Sequence, residues 1–260
     1  AVSAFCNAGI DILGDSSLTA YVTNPIVNLT TMILIILSGL GFTVWFDIIA
    51  NGKKLIRREM PRRWWFTRLK LQSKLAIIMT ILLIISGAVF VFLAEYDNPE
   101  TLGNLSLGNK VMASFFQSVT NRTAGFATIS QNALHTESKL FLCILMFIGG
   151  SPGGTAGGVK TTTIAMLFLA CLTFVRGGND TECMGRKISV ENFRTGFCVV
   201  MAAFSVFTVG TIAILIIEPD TVSLVNVLYE TASAIGTVGL TADLTPHLAR
   251  ASQVVLMLMM

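Results

Sequence analysis

The sequence is short of charge. Only 13% of its 260 residues are Asp, Glu, Lys or Arg, whereas a soluble globular domain carries about a quarter. Apolar residues make up 53% and the mean hydropathy is +0.72. That leaves too little polar surface for a water-exposed domain, and the chain reads as an all-α polytopic membrane protein. Histidine is scarce too: His135 and His247 stand alone. The five cysteines (Cys6, Cys143, Cys171, Cys183, Cys198) lack CxxC or any other metal-ligand spacing. Neither a metal site nor a disulfide framework is inferred. No nucleophile–base pair appears, so no enzyme activity and no cofactor are expected. A signal-peptide pattern is missing as well.

What charge there is collects in a few segments. Residues 51–74 hold Lys53, Lys54, Arg57, Arg58, Arg62, Arg63, Arg68, Lys70 and Lys74 against one acid, Glu59; these are nine of the chain's 18 basic residues. Such a cluster between apolar runs reads as a loop kept on the cytoplasmic side, with no nucleic-acid partner. Trp64, Trp65 and Phe66 fit an interfacial belt. Residues 176–194 form a second cytoplasmic loop. By contrast Glu95, Asp97 and Glu100 meet no base before Lys110, and Glu218-Pro219-Asp220 is an acidic turn. Both mark the outer side.

The apolar runs define spans over 26–50, 75–94 and 195–217, with a last one begun near 249. Turn residues Gly14-Asp15-Ser16-Ser17 precede Asn24-Pro25, which opens the first span. Residues 38–41, Ser-Gly-Leu-Gly, mark close packing or a bend within it. Asp47 near the basic end suits an ion pair with the loop. Between the spans lie segments too short to cross: 110–121 makes only ~18 Å of helix at 1.5 Å per residue, and 223–235 is similar. Each ends at a short motif of polar residue, small apolar residue, glycine and large apolar residue. Asn7-Ala8-Gly9-Ile10, Thr123-Ala124-Gly125-Phe126 and Thr237-Val238-Gly239-Leu240 recur 116 and 114 residues apart. The recurring unit is span, half-helix, glycine loop, span, which points to duplication around a shared site. Arg122 precedes one glycine; bracing the loop against Glu137 or another acid is its expected structural role.

A third apolar stretch, 140–148, is interrupted before its second half, 164–175. The interruption contains Gly149, Gly150, Gly153, Gly154, Gly157, Gly158 and Lys160. Two halves with a flexible glycine insert at mid-membrane make a discontinuous helix, as in transport and gating elements. It is not a nucleotide-binding loop: Val159, not glycine, precedes Lys160-Thr161, and no strand comes before it.

Half-helices that stop at mid-membrane turn their partially negative C-terminal ends inward, which favours a cation. Glycine admits positive φ and close approach, so loop carbonyls can replace a hydration shell. Thr237-Val238-Gly239 matches the first three positions of the potassium-channel signature, although Leu240 replaces its Tyr and no second glycine follows. Residues 118–126 (SVTNRTAGF), 4–9 (AFCNAG), 233–240 (SAIGTVGL) and the 149–163 insert together resemble the pore subunits of the Trk/Ktr/HKT potassium transporters, most closely the bacterial Ktr branch.

That resemblance covers the whole chain. It implies channel-like repeats around a central pore, in which K⁺ is held by backbone carbonyls near Gly9, Gly125 and Gly239. Asn7, Ala8, Thr123, Ala124, Thr237 and Val238 complete that selectivity filter, and 149–163 supplies an intramembrane gating loop. It also implies a homodimer in the cell membrane on a cytoplasmic ring of nucleotide-binding regulatory subunits. On this pattern residues 1–50 end repeat two, 75–175 are repeat three and 195–260 begin repeat four, joined by the loops at 51–74 and 176–194. A further repeat is expected upstream, and the last helix is expected to continue. The filter loops are expected to face outward. The alternative is a secondary transporter with discontinuous helices carrying another cation or a small solute. It requires ionisable residues at mid-membrane, for which Lys160 and Arg122 are the chief candidates.

Overall fold

Backbone polar groups within a bilayer must find partners inside the protein, which leaves helices as the default element for so apolar a chain. The computed structural model describes residues 1–260 except 15–16, 59–60, 62, 64, 178–181, 184–185, 188 and 220. The expected turn at Asp15-Ser16 and the expected roles of Glu59, Arg62, Trp64 and Asp220 therefore lie outside the described residues.

Helix α1 covers Val2–Cys6, α2 Pro25–Gly39, α3 Phe42–Ile56, α4 Trp65–Arg68, α5 Leu71–Ala94 and α6 Leu107–Thr120. Then come α7 Thr136–Phe147, α8 Thr161–Val175, α9 Val190–Ile217, α10 Leu224–Ile235 and α11 Arg250–Met259. A two-residue hairpin, β1 Glu182–Cys183 with β2 Arg186–Lys187, lies in the second basic segment. The architecture is all-α in every other described part. Helices α5 and α9, with 24 and 28 residues, are long and apolar enough to cross a membrane. Only 17% of the most apolar window of α9 is buried. Its outward Phe197, Val199, Phe204, Val209, Ile212 and Ile216 are exposed, a surface suited to lipid rather than water.

The expected single span over 26–50 is two helices. Asn24 caps the first, its Oδ1 accepting from Ile26 N at 3.1 Å and Val27 N at 3.3 Å. The chain then turns by 93° between α2 and α3. Gly41, at φ 86°, makes the turn, and the freed backbone groups go to another segment. Phe42 N–H donates to Gly153 O and Ser151 N–H to Gly39 O, both at 3.0 Å. The hydropathy run is continuous through this point because the bend depends on a partner far away in sequence. Helix α3 runs on to Ile56, so Lys53 and Lys54 are helical.

Other expectations about polar residues are corrected. Asp47 makes no ion pair among the described residues; it accepts from Lys70 N–H at 2.7 Å and Asn51 Nδ2 at 3.0 Å. The last helix begins at Arg250, as expected from a run begun near 249, and Thr245–His247 before it forms a separate 3₁₀ turn. Glu95 is no solvated outer acid. It is fully buried, accepting from Asn98, Thr101 and the His135 N–H that opens α7.

Each half-length helix is wrapped by longer ones. Ala4 of α1, Met32 and Ile35 of α2 and Phe116 and Val119 of α6 share one cluster. Leu83 and Val91 of α5, Leu142, Leu145 and Met146 of α7 and Tyr229 and Ala232 of α10 share a second. Ile214 of α9, Val227 and Ala234 of α10 and Leu256 of α11 form a third. Lys110 anchors the start of α6 by donating to Tyr96 O at 2.7 Å.

Helices α5, α6 and α7 converge on Gly87. A Cβ there would meet Ser118 Oγ and lie 2.7 Å from Leu145 Cδ1. Gly87→Val should therefore destabilise the full-length protein by about 1–3 kcal/mol through overpacking. Gly108→Ala, with nothing within 4 Å of its Cβ, should not. Thermal denaturation in detergent checks the difference, and equal midpoints would contradict this packing.

Candidate functional site: three glycine loops at one cavity

Helices α1, α6 and α10 all stop at the motifs singled out by their spacing. In the first and third the ending is the same. Asn7 and Thr237 take left-handed φ of 51° and 50°, and the next N–H reaches back five residues: Ala8 to Ser3 O at 3.0 Å, Val238 to Ser233 O at 2.8 Å. This is a Schellman ending, which ties off the helix's last carbonyls. The middle loop differs slightly, with Thr123 at φ 71° and Ala124 N–H donating to Thr120 O at 2.9 Å.

Two residues on, each chain turns left-handed again, at Gly9 (φ 64°), Gly125 (84°) and Gly239 (87°). The φ sign thus alternates across every triplet. Alternation turns successive peptide planes so that neighbouring carbonyls share a side, as a dehydrated cation requires. Left-handed φ costs a non-glycine residue about 1–2 kcal/mol, and Asn7, Thr123 and Thr237 all bear it. Among the described residues no hydrogen bond ends on the carbonyl of any of the nine triplet residues.

The three glycines come together. A Cβ on Gly9 would lie 3.0 Å from Gly125 Cα, and one on Gly125 would meet Val238 O. All three border one open cavity of about 520 Å³, lined further by Asp11, Ser17, Ser130, Gln131, Thr241 and Asp243. Ala124 and Val238 are buried, while Gly239 is exposed to it. The loops of α1 and α6 are also tied directly, Leu18 N–H donating to Ala127 O at 2.9 Å.

Opposite the cavity, the segment between α7 and α8 folds back under the same loops. A parallel bridge pairs Ile148 with Val159, and Gly150 N–H donates to Gly157 O at 3.3 Å. Its tip touches every triplet loop. Thr155 Oγ1 donates to Phe5 O at 3.4 Å, and Gly157 N–H to Thr123 Oγ1 at 3.2 Å. At Gly157 a Cβ would collide with Thr237 Oγ1 and lie 2.6 Å from Gly236 O, so only glycine fits there. Gly153 and Ser151 hold the other side to the α2–α3 bend. Gly149 and Gly150 are buried, and Gly154 and Gly158 pack against backbone. Lys160 is half-buried, its Nζ donating to Ala156 O at 2.7 Å.

Arg122 is not braced by an acid. It is buried, with Nη2 3.4 Å from Thr80 Oγ1 and Nε without a partner among the described residues, while Glu137 is exposed. One carboxylate escaped the sequence reading. Glu230 on α10 is 3% exposed and accepts from Thr241 Oγ1 (2.6 Å), Ala242 N (2.9 Å) and Thr245 Oγ1 (2.5 Å). It clamps the chain just after Gly239 to the half-helix before it. The signal was present as an acid in an otherwise uncharged amphipathic stretch.

Half-length helices that deliver unpaired carbonyls to one cavity, set among apolar spans, define a channel-like membrane protein of repeated pore units. The chain belongs to the TrkH family: residues 1–260 match the family profile described as a cation transport protein. Its relatives support the Ktr branch. It is 35% identical over 260 residues to the Ktr system potassium uptake protein B of Bacillus subtilis (strain 168), covering 100% of this chain and 55% of that protein. It is 35% identical over 262 residues to the potassium/sodium uptake protein NtpJ of Enterococcus hirae, again 100% and 55%. The crystal structure of the potassium transporter TrkH from Vibrio parahaemolyticus superposes with a TM-score of 0.71 at 20% identity, over 99% of this chain and 53% of that one. The chain thus spans about half the length of the proteins it matches.

The two inner glycines differ in what surrounds them. Gly125→Ala adds the Val238 O collision to an unfavourable φ, whereas Gly239→Ala meets only Gly125 Cα at 3.9 Å. Gly125→Ala should lower the stability of the full-length protein by about 1–3 kcal/mol more than Gly239→Ala. Thermal denaturation of the two variants side by side checks the order.

Proposed function

We propose that this chain forms most of the pore of a potassium uptake protein, with K⁺ held by the backbone carbonyls of residues 7–9, 123–125 and 237–239. The observation that carries the reading is the alternating-φ triplet, repeated three times at one cavity, with nine carbonyls that accept no hydrogen bond among the described residues. Relatives named for potassium uptake support the choice of ion. Two nearby carboxylates already serve the loops: Asp11 accepts from Leu13 N–H and Ser17 Oγ, and Glu230 from three loop donors.

In this reading the outer cavity receives the hydrated ion and the triplets strip it. An inward step across the membrane gains ~2.3 kcal/mol per 100 mV for a single charge, so uptake needs no coupled reaction in this chain. The 148–160 loop blocks the way below the filter and must leave its bonds to Thr123 and Phe5 for ions to pass. Lys160 adds a positive charge to that barrier. The basic segments at 51–74 and 176–194 face the cytoplasm, where they would dock nucleotide-binding regulatory subunits beneath a homodimer of pores.

The test uses the full-length protein in cells lacking other potassium uptake. Gly239→Ser has room for its side chain and bears only the cost of its left-handed φ; with uptake normalised to membrane level, it should lose K⁺ preference over Na⁺. Deleting 153–158 should raise flux in the absence of the regulatory subunit. Unchanged selectivity in the first or unchanged flux in the second contradicts the corresponding part of the reading.

A further inference from the structure

The interface between the Gly125 and Gly239 loops contains a polar junction in an otherwise apolar core. Tyr229 of α10 is fully buried, and its hydroxyl donates to Gln131 Oε1 at 2.7 Å. The same oxygen accepts from Gln117 Nε2 of α6 at 2.5 Å. Gln131 Nε2 donates in return to Gln117 Oε1 at 3.2 Å and to Ile129 O at 2.7 Å. Gln117 and Gln131 are 0% and 5% exposed. Each polar side-chain atom of the three residues has a partner within the junction.

Its position in the chain matters. Gln117 lies on the half-helix before Gly125, Gln131 on the segment after it, and Tyr229 on the half-helix before Gly239. Among the described residues, the side-chain hydrogen bonds joining residues 107–135 to residues 224–243 run through Tyr229, to Gln131 and Gln117. At the triplets themselves the two loops meet only by contact, Val238 O against Gly125 and Gly125 Cα near Gly239. Apolar packing alone would hold α6 and α10 together but would tolerate a shift of a few tenths of an ångström. A fully satisfied buried network fixes one geometry, because any displacement leaves polar groups without partners.

Taking the carbonyl-filter reading above as its basis, we infer that the Tyr229–Gln131–Gln117 junction is a specificity-determining brace that sets the spacing of the Gly125 and Gly239 loops. Gln131 also borders the outer cavity, so the brace lies immediately outside the triplets. Its loss relaxes the spacing, the smaller Na⁺ is then accommodated, and discrimination falls while conduction persists.

The experiment measures K⁺ and Na⁺ uptake by the full-length protein and takes the ratio of apparent affinities. Tyr229→Phe keeps the ring and removes only the hydroxyl. It is expected to lower the K⁺/Na⁺ ratio about three- to tenfold, the range of one hydrogen bond, with membrane levels unchanged. Gln131→Leu is expected to do the same, and the double variant no more than either alone. Wild-type selectivity in Tyr229→Phe, or full additivity in the double variant, overturns the inference. Should Tyr229→Phe fail to accumulate, Gln117→Leu and Gln131→Leu decide, and unaltered ratios in both overturn it. A wild-type protein that takes up no K⁺ would instead sink the underlying reading.

Discussion

Everything in this structure answers to one constraint: a backbone carbonyl at membrane depth must have a partner. Ordinary spans meet it internally, through i to i−4 bonds. The three half-helices each end on a left-handed residue and then, among the described residues, leave nine carbonyls without one. Such groups are costly when buried dry, and the cavity beside them supplies the water or cation that offsets the cost. The surrounding helices exist to hold those loops at one place.

The supporting framework is mostly polar side chain to backbone. Glu230 secures the chain leaving Gly239, Ser118 ties α6 to the carbonyl of Ile84 at 2.8 Å, and Thr120 Oγ1 grips Phe126 O at 2.6 Å. The intramembrane loop adds bonds from below, to Thr123 and to the α2–α3 bend. One segment is therefore attached both to the triplet loops and to the helix that continues into the basic segment. The pairs Phe42–Gly153 and Ser151–Gly39 make the second attachment.

What the sequence made legible was whatever repeats or runs. Apolar runs gave the spans, and the spacing of Gly9, Gly125 and Gly239 gave the loops that the structure brings to one cavity. The 149–163 interruption was visible as glycine. What stayed hidden depends on partners remote in the chain. Residues 38–41 were legible as close packing or a bend, but the 93° angle depends on the bonds that Gly153 and Ser151 supply. Arg122 looked like half of an ion pair, yet its nearest polar neighbour is Thr80. Glu230, Gln117, Gln131 and Tyr229 look like scattered polar residues until α6 and α10 are packed side by side.

The claim on which the rest depends is that backbone oxygen, not side-chain oxygen, holds the ion. Crystals of the full-length protein soaked in thallium or rubidium, recorded at the absorption edge, test it directly. The account requires an anomalous peak on the cavity floor, coordinated by carbonyls of residues 7–9, 123–125 and 237–239. A peak held instead by the carboxylates of Asp11, Asp243 or Glu230, with none at the triplets, would contradict it.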